Sequence, residues 1–257
     1  MRIKLKNEEQ VKILRKGGRI LAKIMNEIQG MLKPGVSTFE LNQEAERLAV
    51  MNKARPSFKG YTGGGGTPYP CALCVSLNDE VVHGIASKDK VLKNGDVVSL
   101  DMGIEYQGLF TDHAKTFAVG SVSREAAKLI RVTQKSLDKA IGYVREGVNL
   151  SQISKLIQEY VERNGFAVVR QLVGHGVGYA VHEEPPIPNY YSPGVYKEVV
   201  LKKGMVLAIE PMVTAGSWRV KTDQDQWTVR TADASLSAHF EHTVVVGRYG
   251  AEIMTRL

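Results

Sequence analysis

The sequence predicts an α+β fold made of two related halves, each running helix, helix, sheet, and three observations carry that prediction. Apolar residues recur at helical spacing in two pairs of segments, and each pair is followed by a β-branched stretch broken by turns. The stretch VLKNGDVVSLD (91–101) lies without gaps over VLKKGMVLAIE (200–210): Val, Leu, Lys, Gly and Val are shared in register, and both end on an acid. A Gly-Val pair precedes the second helix of each half, at Gly35–Val36 and Gly147–Val148. Each half then closes on an acid, a histidine and a strand, TDHAKTFAVG (111–120) and FEHTVVVG (240–247). The halves divide at about 1–120 and 121–257 with no linker or low-complexity segment between them, so a single domain spanning 1–257 is expected.

Each element has its own local reason. Val11, Leu14, Ile20, Leu21, Ile24 and Ile28 place one apolar face on a helix through residues 8–32. KPGVST breaks that helix, and Ser37 or Thr38 can cap a second one running to about Asn52. From Cys71 to Val119 the β-branched content and the turn residues predict several strands. Helices return at about 123–145 and 151–163, separated by REGVNLS. Strand-like sequence then runs to the end, with KTDQDQ between Val220 and Trp227 predicting a hairpin turn.

Composition narrows the class. The chain has 257 residues, 43% hydrophobic and 24% charged, which suits a folded domain with a full core. The N-terminus MRIKLKNEEQ lacks the apolar stretch of a secretory signal, and no apolar run approaches the roughly 18 residues of a membrane span. Two cysteines argue against a disulfide scaffold, so a cytoplasmic protein is expected. Net charge is +7, and Arg2, Lys4, Lys6, Lys12, Arg15, Lys16, Arg19 and Lys23 crowd the start. The plain reading is a solvated helix face; the sharper one is docking on a polyanion such as ribosomal RNA. KGYTGGGGTPYPCALC (59–74) is no phosphate loop, because no Gly-Lys-Ser/Thr follows its glycines. Its Cys71–Cys74 pair has no second Cys/His pair at zinc spacing.

The repeat has a chemical consequence. A pseudo-twofold would match Asp101 with Glu210 and Asp112 with Glu241, bringing four carboxylates to the axis between two sheets. Ionised carboxylates sharing a desolvated pocket cost several kcal/mol each unless neutralised, and no lysine or arginine cluster accompanies these acids. Two divalent metals would balance the charge. GHGVGYAVHEEPPIP (174–188) supplies nitrogen: His175 is framed by glycines that let backbone and substrate approach the imidazole, and His182 follows. His83, in NDEVVHGIA, stands at the comparable stage of the first half.

At these residues the chain resembles the bacterial type I methionine aminopeptidases. VVHGIA, SLDMGIEYQGLFTD, GHGVGYAVHEEP, AIEPM and SLSAHFEHT carry the resemblance, which starts at LKNEEQVKILRKGG and covers nearly the whole chain. It implies the pita-bread fold, two α/β halves around a curved antiparallel sheet with a dinuclear metal site at the centre. It also implies that Asp101 chelates one ion, Asp112 and Glu241 bridge both, and His175 and Glu210 complete the second. Glu210 would serve as proton carrier, His182 would stabilise the oxyanion and His83 would contact the scissile amide. One metal would hold the free α-amino group of the N-terminal methionine of a nascent chain, with a small second residue preferred. Tyr61, Tyr69, Cys74 and Trp227 fall on pocket positions, suited to an unbranched, polarisable side chain. The donor set suits Mn or Fe(II), with Co and Zn as alternatives.

Two residues depart from the family pattern: Val181 stands where a phenylalanine is frequent, and Phe58 where relatives carry a small residue or cysteine. The segment holding Gly63–Gly66 is longer than in many relatives, either a gating lid or slack at the pocket mouth. A monomer is expected, with transient ribosome association through the basic surface as a further expectation. X-Pro aminopeptidases and prolidases share the ligand set but usually carry an added N-terminal domain. A non-catalytic binding module of the same fold is the rival of a different class, disfavoured by the intact ligands.

Overall fold

Residues 3–63 and 66–257 are described by a computed structural model. Four helices order the described residues: α1 (Glu8–Gln29), α2 (Thr38–Met51), α3 (Arg124–Tyr143) and α4 (Leu150–Arg163). Their starts follow from capping chemistry. The Asn7 side chain accepts from the Gln10 amide while Gln10 reaches back to the Asn7 amide, and Ser37 with Glu40 repeats the box at α2. α1 ends at Gln29, short of the expected residue 32, with the Gly30 amide donating into its last turn.

Each half buries its own apolar core between its helix pair and its strands. In the first, Leu21, Ile24 and Ile28 of α1 and Leu41 and Leu48 of α2 meet Leu100, Met102 and Ile104 of the strand Val97–Tyr106. That strand pairs antiparallel with Leu109–Ala118 on one side and with Cys74–Leu77 and Arg55–Pro56 on the other. In the second half, Leu129, Leu137, Ile153 and Ile157 of α3 and α4 close over Leu207, Ile209 and Val244. There Val206–Ile209 pairs antiparallel with His242–Val246 and with Gly174–Gly176, which in turn pairs with Glu183–Ile187.

The duplication is visible bond for bond. Gly35 donates to the Leu92 carbonyl and Gly147 to that of Leu201, both at 2.9 Å; Leu92 returns a bond to Val36, and Leu201 to Val148. Gly95 donates to Val119, and Gly204 to Val246. All four glycines have positive φ, between 85° and 97°, which the turn into each strand demands. At the axis Thr243 Oγ1 accepts from the Asp112 amide and donates to its carbonyl, each at 2.8 Å. Thr116 does the same for His239, at 2.8 and 2.7 Å.

This register corrects the expected matching of acids. Asp101 does lie over Glu210, but the partner of Asp112 is His239. Gly103 faces Asp112 just as Met212 faces His239. Asp101 faces Ala114, and the register that pairs Ile209 with His242 sets Glu210 opposite Glu241, so Glu241 answers to Ala114. The Glu241 amide donates to the Ala114 carbonyl at 2.8 Å, joining the halves at their axis. Counted back from the closing glycines, Asp112–Gly120 and His239–Gly247 match without a gap, so setting Asp112 against Glu241 puts the two segments out of register by two residues.

Candidate metal centre

The five acid and histidine positions arrive from five segments. Asp101 sits inside Val97–Tyr106, Asp112 inside Leu109–Ala118 and His175 inside Gly174–Gly176. Glu210 follows the end of Val206–Ile209, where Pro211 removes the next amide, and Glu241 precedes His242–Val246. All five line one cavity of about 420 Å³. One ligand atom each from Asp112, His175 and Glu241 falls within 4.8 Å of the others.

These groups are short of partners in the way cation ligands are. Asp101 Oδ1 and Glu241 Oε1 are buried with no hydrogen-bond partner among the described residues. Burial, then the neighbouring Asp112, holds the Asp101 carboxyl well above the ordinary carboxylate range. Burial and the surrounding carboxylates do the same to Glu210 and Glu241, and burial lifts Asp112 to about 7. His175 donates from Nδ1 to the Gly176 carbonyl at 2.9 Å, which leaves the lone pair on Nε2, 3.5 Å from Glu210 Oε1. Burial, then His182, lowers the His175 pKa to about 3, so it is a neutral donor. Unpaired buried oxygens beside a neutral, backbone-oriented imidazole fit a divalent cation, and this donor set gives a divalent metal as the cofactor.

The remaining predicted residues form the walls. His83 has φ of 58°, a strained backbone for a non-glycine residue that turns its ring into the cavity, and burial lowers its pKa to about 4. His182 stands edge-on to His175, ring centroids 4.3 Å apart, and its Nδ1 lies 2.5 Å from the Tyr61 hydroxyl. Trp227 leaves the predicted hairpin of Val220–Thr222 and Val229–Thr231, edge-on to Tyr69 at 5.3 Å and to His83 at 6.1 Å. Cys74 pairs across the sheet with Asp101 and, with Cys71, is a buried free thiol; burial pushes both thiols' pKa up. The apolar wall is thus Phe58, Tyr61, Tyr69, Cys74 and Trp227.

Of the two departures, Phe58 reaches the cavity, its ring lying where a side chain at Gly103 would collide. Val181 is buried and is not among the residues that line the cavity. Gly64 and Gly65 of the Gly63–Gly66 stretch, and Arg2 of the basic start, lie outside the described residues.

Sequence reasoning missed His239. It is buried, its Nε2 is 3.4 Å from Glu210 Oε2, and neither ring nitrogen has a hydrogen-bond partner among the described residues. Burial, then His83, lowers its pKa to about 3. The signal was the repeat itself: counted back without a gap from the closing glycines Gly120 and Gly247, His239 is the counterpart of Asp112.

Two helix-supported halves about an axis of buried acids and one oriented imidazole define a metallohydrolase of the pita-bread kind. Residues 12–248 match the model of metallopeptidase family M24, and the chain belongs to that family. It is 48% identical over 251 residues to a methionine aminopeptidase of Clostridium perfringens, covering 98% of each chain, and 48% identical to methionine aminopeptidase 1 of Bacillus subtilis, again covering 98% of each. The crystal structure of methionine aminopeptidase from Thermotoga maritima superposes over 100% of both chains with a TM-score of 0.94 at 44% identity. Prolidase from Pyrococcus furiosus shares the fold at 23% identity, with a TM-score of 0.79 over 65% of its length.

Proposed function

We propose that this chain removes the N-terminal methionine from nascent proteins and peptides, preferring a small second residue. The observation that carries the reading is the join of two surfaces in one cavity. Its floor is Asp101, Asp112, His175, Glu210 and Glu241, and its wall is aromatic and sulfur-bearing, suited to an unbranched thioether.

Asp101 would hold one divalent ion, Asp112 and Glu241 both, and His175 and Glu210 the second. A bound pair supplies Lewis-acid polarisation of the carbonyl and a usable nucleophile near neutral pH. Glu210 takes the proton from the attacking water and returns it to the leaving amine, its pKa without a cation already raised by burial. His182, lining the cavity, donates to the oxyanion that forms on the scissile carbonyl, and His83, also in the lining, contacts the amide. Neutral rings suit both tasks, because burial lowers the pKa of each.

Ribosome docking through the N-terminal face is a weaker reading: Lys6 is buried, and Lys12, Arg15 and Lys23 pair with Glu9, Glu252 and Glu27. No described helix is long and apolar enough to cross a membrane.

The test is release of methionine from Met-Ala-Ser by metal-loaded but not chelated protein, with Asp101→Ala inactive. Cleavage of Ala-Pro instead would assign a prolidase-like activity. Cleavage of neither would leave a binding module.

A further inference from the structure

We propose that Tyr61 is a positioning residue that fixes His182 in the tautomer carrying its proton on Nε2, the ring nitrogen left to face the substrate. This rests on the proposed reaction, in which His182 must donate a hydrogen bond.

The geometry leaves few choices. Tyr61 Oη and His182 Nδ1 lie 2.5 Å apart, within hydrogen-bond reach. A neutral imidazole has one N–H and one lone pair, so whatever Nδ1 does decides Nε2. The phenol has no other protein acceptor among the described residues. Burial pushes the Tyr61 pKa up, so the phenol keeps its proton. Donation from Oη to Nδ1 therefore uses that proton well and leaves Nε2–H pointing toward the cavity. The reverse arrangement would put a lone pair on Nε2, which cannot stabilise an oxyanion.

Both partners are held by segments far apart in the chain. On one side, Gly60 donates to the Tyr69 carbonyl and Tyr69 to that of Tyr61, each at 2.8 Å, closing the neck of the glycine-rich loop. Its far leg is held where the Trp227 indole donates to the Thr67 carbonyl at 2.9 Å. On the other side, Glu183 accepts from the Tyr179 and Ala180 amides and pairs with buried Lys6 at 2.7 Å, so the turn carrying His182 is fixed. The loop's role at the site is thus to present one hydroxyl. That role needs its neck, whatever its glycines do.

Tyr61→Phe keeps the ring in the pocket wall and removes only the hydroxyl. In the zinc-loaded full chain, long-range ¹H–¹⁵N correlation of the histidine rings, with the His182 signals assigned by their loss in His182→Ala, should show Nε2–H in the parent and a mixture in Tyr61→Phe. Turnover of Met-Ala-Ser should fall about 10-fold or more, bounded by the roughly 10²–10³ that losing an oxyanion donor costs. KM and metal content should stay near the parent's. In a His182→Ala background, removing the hydroxyl should cost nothing further, because Tyr61 acts through that ring. An unchanged tautomer with unchanged kcat overturns the proposal. So does an equal loss in the His182→Ala background, which would make the hydroxyl a direct substrate contact. A parent chain that fails to cleave the peptide overturns the proposed reaction instead, and the tautomer spectrum still decides the role of Tyr61.

Discussion

Stripping the metal should make stability depend on pH in a direction set by the acid cluster. Asp112 without a cation has its pKa lifted by burial to about 7, from an ordinary value of 3.8. A carboxyl whose folded pKa is raised keeps its proton in the folded chain after the unfolded chain has lost it. Its stabilising contribution is full below about 4 and is lost as pH climbs through 7. Between pH 5 and 7 the loss is two pH units at about 1.4 kcal/mol each, or about 3 kcal/mol from Asp112 alone. Asp101, Glu210 and Glu241 shift the same way, as a coupled set. A bound divalent ion abolishes this loss by favouring the ionised forms.

The buried histidines act oppositely. His83 and His113 are depressed to about 4, His175 and His239 to about 3, and His242 to about 2, so their contribution is lost as pH falls below about 6.5. They are neutral with or without metal, so the quantity to read is the gap in Tm between loaded and chelated protein. At about 2–4 °C per kcal/mol for a chain of this size, the gap should widen by about 6–12 °C from pH 5 to 7, measured by scanning calorimetry at fixed metal excess. A gap that is flat, or that narrows as pH rises, would refute the argument that these carboxylates are held un-ionised until a cation arrives.

Two further outcomes follow from particular contacts. Lys6→Met removes one partner of a buried ion pair whose side chains are 1% and 12% exposed. Glu183 keeps two backbone donors, so the cost sits near the low end of the range for such losses, about 3 kcal/mol, or about 6–12 °C in Tm. Glu183→Gln added to it should recover part of that loss; no recovery would show that packing of the lysine stem, not the stranded charge, was the cause. His83→Ala and His182→Ala should each keep full metal content by elemental analysis while turnover falls about 10²–10³-fold, and loss of metal from either would overturn the division between ligands and donors.

How much of this was legible depended on range. Caps, helix faces and the hairpin before Trp227 are written in residues a few positions apart, and they were read nearly as they stand. Asp101 and Glu210 were legible because the repeat places them at matching stages and His175 because glycines frame it, whereas Asp112 and Glu241 were named by the family resemblance and not by a true match between the halves. Lys6 was counted with the solvated lysines because its neighbours are polar; it is buried by Glu183 and Gly178, far along the chain, where a side chain on Gly178 would occupy the lysine's own place. The Tyr61–His182 bond spans 121 positions and has no local signature. That Phe58 fits against Gly103, where a side chain would collide with its ring, depends on residues 45 positions apart and has no local signature.

The misaligned acids explain how a symmetric frame yields an asymmetric centre. The axis bonds of Thr116 and Thr243 are identical in both halves, so the backbone cannot tell Asp112 from His239, or Ala114 from Glu241. At the axis, side chains break the symmetry. The position nearest the axis carries a methyl in one half and a carboxylate in the other, and two glutamates at matched positions would crowd like charges around the Glu241–Ala114 bond. Placing one acid there, and a neutral imidazole opposite Asp112, keeps the ionisable load at four carboxylates. That is the load two divalent cations neutralise, and it leaves His239 free to sit against Glu210 without adding charge.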